Sequence, residues 1–263
     1  FVLKSNETFF DRKAPKYNME TVKLTIVGSG DAFGSGGRLN TCFYAEAPSI
    51  NFLIDCGATV LPGLKRNNIN SGNIDSIFIT HFHGDHYGGL PFFLLEASTY
   101  KREKPLTIIS PPGCKEKVIQ LLNLLYPGTI VLEKLNIQFI EYQPYEVIDT
   151  KHISVRSFPV IHTQSTLPHG LRITVDNKII SYSGDTQWTE ELLPLSENAD
   201  LFICECNFFN MPIKGHLNYQ VLKEKAKSLT CKKILLTHFD TEMLDNLDKV
   251  TMPCAFDGLT IDF

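Results

Sequence analysis

Three histidines and an aspartate, His81, His83, Asp85 and His86, fall within six residues in the stretch 77–90, IFITHFHGDHYGGL. Neutral imidazoles and carboxylates are the donors taken by zinc and its divalent neighbours. A lone H-x-H would read as an ordinary surface pair, but four donors at this spacing cannot all avoid one another. The residues before them (Ile74, Ile77, Phe78, Ile79) are apolar and read as a buried strand. Gly88 and Gly89 stand where a helix should begin. A strand that ends in a tight loop delivers its side chains to the crevice above a sheet, where α/β proteins place ligands.

Matching residues recur downstream. His162 follows Pro159-Val160-Ile161, Asp185 lies in Ser183-Gly184-Asp185, and His238 follows Leu235-Leu236-Thr237. The segments 77–82 (IFITHF) and 234–239 (ILLTHF) nearly repeat, which suggests two similar α/β halves facing each other across one site. Seven candidate ligands are too many for one tetrahedral ion and suit two ions that share a carboxylate. Two ions about 3.5–4 Å apart can activate a water and stabilise both the attacking and leaving oxygens of a hydrolysis.

The elements that must position these residues follow from hydrophobic periodicity and turn signals. Strands are expected over 22–27, 41–45, 49–54, 107–110, 137–140, 146–148, 152–160, 171–175, 178–183, 201–206 and 234–236, with Asp176-Asn177 as a hairpin turn. Helices are expected over 61–65, 90–100, 114–126 and 219–228. Every candidate ligand then lies at or just past a strand end. The glycine-rich segment 28–37 invites a phosphate-loop reading, but no GK[ST] follows and the next segment is strand-like. A flexible loop bordering the site is expected instead, with Arg38 and Asn40 placed to contact substrate or to cap the turn.

A chain of 263 residues can bury a substantial core. No Pro/Ser/Gly linker divides it, so a single domain over 21–263 is expected after a polar extension at 1–20 that lacks a signal-peptide core. No apolar run reaches membrane-spanning length. A net charge of -4, with no Lys/Arg block, argues against wrapping of extended nucleic acid. Lys101-Arg102-Glu103-Lys104 reads as a solvated helix end. Seven cysteines without a disulfide rhythm fit a reducing, cytoplasmic compartment. Cys204 and Cys206 share one strand face as core residues, with Glu205 on the other. The stretch 90–95 is assigned to the core by its helical spacing, and a homodimer is left open.

The series H-x-H-x-D-H, then His162, Asp185 and His238, resembles the metallo-β-lactamase-fold hydrolases over most of the chain, from about 22 to 238. The resemblance implies an α/β (α+β) fold, a four-layer αββα sandwich with the site on one edge. It implies His81, His83 and His162 on one ion, Asp85, His86 and His238 on a second, and Asp185 bridging. Zinc is expected, with manganese or iron accepted. The segment 199–208 (ADLFICECNF) and Gly215-His216 resemble the ribonuclease Z branch, which implies a proton-transfer trio of Asp85, Glu205 and His216. In that trio His216 donates to the leaving oxygen. His169, which precedes a strand, is expected at the surface or in an outer supporting role. Ribonuclease Z carries a long arm for gripping transfer RNA between the counterparts of His162 and Asp185; here only a loop and one hairpin fit. The expected function is therefore a dinuclear phosphodiesterase acting on a small nucleotide or cyclic phosphodiester. A lactonase or thioesterase, a transfer RNA 3′-processing endoribonuclease and a non-catalytic scaffold are the alternatives.

Overall fold

The structure, a computed structural model, describes residues 21–263; the expected extension at 1–20 lies outside the described residues. Two sheets form. The first takes β1 (Lys23–Gly28), β2 (Cys42–Glu46), β3 (Asn51–Ile54), β4 (Ser76–Phe78), β5 (Leu106–Ser110) and β6 (Ile137–Glu141). The second takes β7 (Val147–Asp149), β8 (Ile153–Pro159), β9 (His169–Val175), β10 (Lys178–Tyr182), β11 (Leu201–Glu205) and β12 (Ile234–Thr237) in reverse order. A last strand, β13 (Thr260–Asp262), returns to pair antiparallel with β1 and closes the outer edge of the first sheet.

Alternation along the strands explains the layers. Leu24 and Ile26, with Phe43, Ile54 and Phe78, face Ile173, Ile180, Tyr182 and Ile203 in one core between the sheets. The Phe43 and Tyr182 rings meet edge-on at 5.1 Å, the favoured aromatic geometry. Residues of opposite parity in β4 and β5, Ile77 and Ile108, pack outward under α1 (Val60–Arg66), α3 (Leu90–Thr99) and α4 (Cys114–Leu125). On the far side, Phe202, Cys204 and Leu236 pack against α5 (Leu192–Ser196), α6 (Tyr219–Lys225) and α7 (Thr241–Leu244). The result is the expected four-layer αββα sandwich.

Parallel pairing runs through β3, β4, β5 and β6 in one sheet and through β10, β11 and β12 in the other. Loops after the carboxyl ends of β4, β10, β11 and β12 carry the chemistry-bearing residues. Asp176 and Asn177 both take positive φ, 45° and 62°, as a two-residue turn of the primed type demands between β9 and β10.

Three expectations change. Arg102 is half-buried and donates to the carbonyls of Ser71, Gly72, Ile74, Lys104 and Pro105, while Lys104 pairs with Asp75 at 2.8 Å. The segment 101–104 is therefore no solvated helix end; it stitches the end of α3 to the approach to β4. The glycine-rich loop is also bound down. The Asp31 carboxylate accepts the Phe33 and Ser35 N–H groups and the Ser35 hydroxyl. β13, α5, α7 and a one-turn helix α2 (Gly84–Tyr87) were not expected at all. Cys204, Cys206 and the buried members of 90–95 (Leu90, Phe93, Leu94) sit in the core as expected. Among the described residues no helix is long and apolar enough to cross a membrane.

Candidate metal centre

His81 and His83 leave the end of β4, and Asp85 and His86 lie on α2 just beyond them. His162 follows β8, Asp185 follows β10, Glu205 ends β11, and His238 follows β12. All these elements meet at one edge of the sandwich. Donor atoms of His81, His83, His162 and Asp185 lie within 4.8 Å of one another, as do those of Asp85, His86, Asp185 and His238. Asp185 Oδ2 stands between the two groups, 3.3 Å from the Nε2 atoms of His86 and His238 and 3.8 Å from that of His81.

The hydrogen bonds behind these rings fix which nitrogen faces inward. His86 Nδ1 donates to Asp55 at 2.6 Å, and His162 Nδ1 donates to the Gly215 carbonyl at 2.8 Å. The Thr80 hydroxyl gives its proton to Asp55, so at 3.0 Å it can only accept from His81 Nδ1. Asn207 packs 2.7 Å from His238 Nδ1 and donates to the His238 carbonyl. Nε2 of His81 and His162 therefore present lone pairs inward. These lie 3.2 and 3.0 Å from His83 Nδ1, which has one proton at most to offer both. His86 Nε2 and Asp185 Oδ1 are buried with no hydrogen-bond partner among the described residues. Lone pairs converging at such distances without hydrogens between them are the arrangement a cation satisfies, with outer carboxylate and carbonyl groups orienting the ligands. The donor set fits divalent metal.

The electrostatics divide the centre. Burial pushes His162 down to about 4 against the pull of Asp185, and burial and the neighbouring His86 hold His81 well below the ordinary histidine value. Neutral imidazole is the form that ligates. Burial works most strongly against charge on His86 and His238, but the surrounding carboxylates, Asp185 first and Asp85 with it, together outweigh burial and raise both, His238 to about 9. A locus that holds protons so tightly is strongly negative, and a metal dication can take their place.

Backbone geometry is unusual at this edge. Asp55 and His238 both adopt positive φ, 61° and 64°, a conformation that non-glycine residues hold only where surrounding structure enforces it. Gly215 (φ 86°) could carry no side chain, because a Cβ there would lie 2.9 Å from His162 Nδ1.

Beside the donor set, Glu205 is fully buried and accepts from His216 Nδ1 and from the Leu217 and Thr186 N–H groups. Burial lowers the His216 pKa, but the Glu205 carboxylate outweighs it and holds it above the ordinary histidine value. The expected trio assembles only in part: Asp85 contacts His86 and His238 at 3.2 and 3.4 Å and belongs with the donors. Arg38 and Asn40 take the turn-holding option. Arg38 donates to Ser29 Oγ and the Ala255 carbonyl and stacks over Phe239, and the Asn40 amide donates to the Asp31 carbonyl. His169 is not at the surface. It is buried at the start of β9, its Nδ1 donating to the Leu167 carbonyl and its N–H to the Thr80 carbonyl. Asp55 and Asn207 had drawn no role from sequence; each sits at a strand end beside a ligand-bearing strand.

The family described as Anti-Pycsar protein Apyc1 matches residues 22–256. The chain belongs to this family. It is 26% identical over 282 residues to ribonuclease Z of Clostridium tetani, covering 85% of this chain and 90% of that protein. The crystal structure of the metallo-β-lactamase-fold protein YhfI from Bacillus subtilis superposes with a TM-score of 0.78 at 24% identity, over 93% of this chain and 100% of that one. A diphosphatase of the PhnP family superposes with a TM-score of 0.73 at 19% identity, over 92% and 98% of the two chains. The family member described here is thus a metal-dependent hydrolase of the metallo-β-lactamase fold, in the ribonuclease Z-like branch.

Proposed function

We propose that this chain is a dinuclear metal-dependent phosphodiesterase acting on a small nucleotide or cyclic phosphodiester. The observation that carries the reading is the Glu205–His216 pair set against the donor cluster. A hydrolase of activated carbon esters needs no such acid, whereas expulsion of an alkoxide from phosphorus does. The names ribonuclease Z and diphosphatase both describe cleavage at phosphorus. A small substrate is favoured because His162 and Asp185 are joined only by a one-turn 3₁₀ segment (Gln164–Thr166) and the β9–β10 hairpin.

In this reading His81, His83, His162 and Asp185 hold one cation, and Asp85, His86, His238 and Asp185 hold the other. When bound, two such ions, zinc by the imidazole-rich donor set, supply a water of lowered pKa and neutralise charge on the phosphate oxygens. His83, His162 and His216 lie on the accessible side, so the phosphodiester enters there. Glu205 holds His216 by Nδ1, which leaves Nε2–H to donate to the leaving oxygen as the P–O bond breaks. The Thr186 and Leu217 N–H groups keep Glu205 in place through the transfer. All seven cysteines are unpaired, which supports a reducing, cytoplasmic setting.

The deciding experiment is hydrolysis of bis(p-nitrophenyl) phosphate by zinc- and manganese-loaded protein, beside a simple lactone and Asp185→Ala. Phosphodiester turnover that vanishes in the variant is expected. Lactone turnover alone would transfer the protein to the carbon-ester hydrolases.

A further inference from the structure

His216 borders a second feature besides the metal centre. A hollow of about 330 Å³ lies between the segment Gln187-Trp188 after β10 and the loop and helix start at Ile213, Leu217 and Val221, with His216 in its wall. Its place relative to the centre is fixed by backbone bonds. The Gln187 N–H donates to the carbonyl of Ile161, next to His162, and Gln187 Oε1 accepts from the Gly215 N–H, next to His216. The wall is thus tied to the neighbours of His162, in the donor cluster, and of His216.

We propose that this hollow is the leaving-side subsite and that it receives a planar heteroaromatic base, with Trp188 as its stacking surface. The assignment rests on the phosphodiesterase reading above, since His216 protonates the group that would occupy it. The walls suit an amphipathic disc. Trp188 is pinned at Nε1 by Glu190 (3.1 Å), and Lys225 Nζ lies 5.9 Å from the ring centroid, so the indole plane is held from its edge and from one side. Ile213 is 43% exposed, and Leu217 and Val221 continue the apolar lining. Gln187 Nε2 has no hydrogen-bond partner among the described residues, which leaves an amide donor for a ring carbonyl or ring nitrogen at the base edge. The hollow stands at the lower end of the size range of small-molecule sites, enough for one base and too little for an extended strand.

Trp188 is the only tryptophan in the chain, so its fluorescence reports on this one position. Titration of the zinc-loaded protein with a nucleoside monophosphate is expected to quench that fluorescence saturably, and ribose 5-phosphate is expected not to. By calorimetry, Trp188→Ala should weaken nucleoside monophosphate binding by roughly ten-fold, within the range for loss of one stacked base. The same change should leave ribose 5-phosphate binding unaltered, and Trp188→Phe should restore most of the loss. Absence of quenching, or equal effects on the two ligands, overturns the subsite. Bis(p-nitrophenyl) phosphate turnover by the same samples reports on the phosphodiesterase reading separately, because the binding tests require no catalysis.

Discussion

Glu205 is a buried carboxylate that three donors hold in place, and one of them is the Nδ1–H of His216, whose ring is thereby oriented beside the donor cluster. In the proposed reading His216 acts as an acid, and the consequence is selective. On a diester that expels an alkoxide, His216→Ala should lower turnover by about 10²–10⁴-fold, the usual span for a positioned general acid. On a p-nitrophenyl ester, whose leaving group needs no proton, the loss should be much smaller. The pH dependence has a definite sign. Against burial, Glu205 raises the His216 pKa, so the acid form persists to higher pH than in an ordinary histidine, and alkoxide-ester turnover should fall as pH rises through that raised value. His162, held down to about 4, stays neutral across this window. Paired pH–rate profiles of wild type and His216→Ala on the two esters test the point, and identical alkaline limbs for both esters in both proteins would sink it.

Strands β3 and β4 lie side by side in parallel, and the division of labour between their ends organises the centre. The segment after β4 carries His81, His83, Asp85 and His86, while β3 is followed by Asp55, which accepts from His86 directly and from Thr80, the residue that orients His81. One buried carboxylate therefore aligns a ligand in each donor group. Asp55→Asn preserves the shape but replaces an acceptor oxygen with a donor nitrogen facing two N–H or O–H groups. Zinc affinity, measured by competition with a chromophoric chelator, should fall by about 10–100-fold while far-ultraviolet circular dichroism stays unchanged. Undiminished affinity would remove Asp55 from this role. The donor residues that the structure brings together were legible because His and Asp at such spacing have few other uses, and the strands because their apolar runs are long. Asp55 was not, since a single aspartate after a strand looks the same whether it caps a turn or orients a metal ligand. β13 was hidden for a different reason: Thr260–Asp262 has no hydrophobic run, and its partner β1 lies at the other end of the chain. The surface option for His169 failed because a histidine before a strand gives no sign of the Tyr142 ring that covers it at 5.2 Å. Arg102 misled because its five carbonyl acceptors come from separated segments.

The centre draws His81, His83, Asp85 and His86 from the first sheet and His162, Asp185 and His238 from the second, so whatever binds there also fastens one sheet to the other. Within the first donor group, the inward lone pairs of His81 and His162 face a single His83 nitrogen, a crowding that a bound cation would relieve. Metal binds the folded chain and not the dispersed ligands of the unfolded one, so stability should rise with metal by mass action. At free zinc near 1,000 times its dissociation constant the gain is about 4.1 kcal/mol. For a chain of this size that corresponds to an increase in Tm on the order of 10 °C. Differential scanning calorimetry of chelator-stripped protein, before and after zinc, measures it directly. Asp185→Ala should abolish most of the increase, because Asp185 faces both donor groups and its loss weakens the two sites together. A Tm indifferent to zinc in the wild-type protein would instead fit a scaffold that keeps the fold without the metal chemistry, and would count against every catalytic role assigned to this edge.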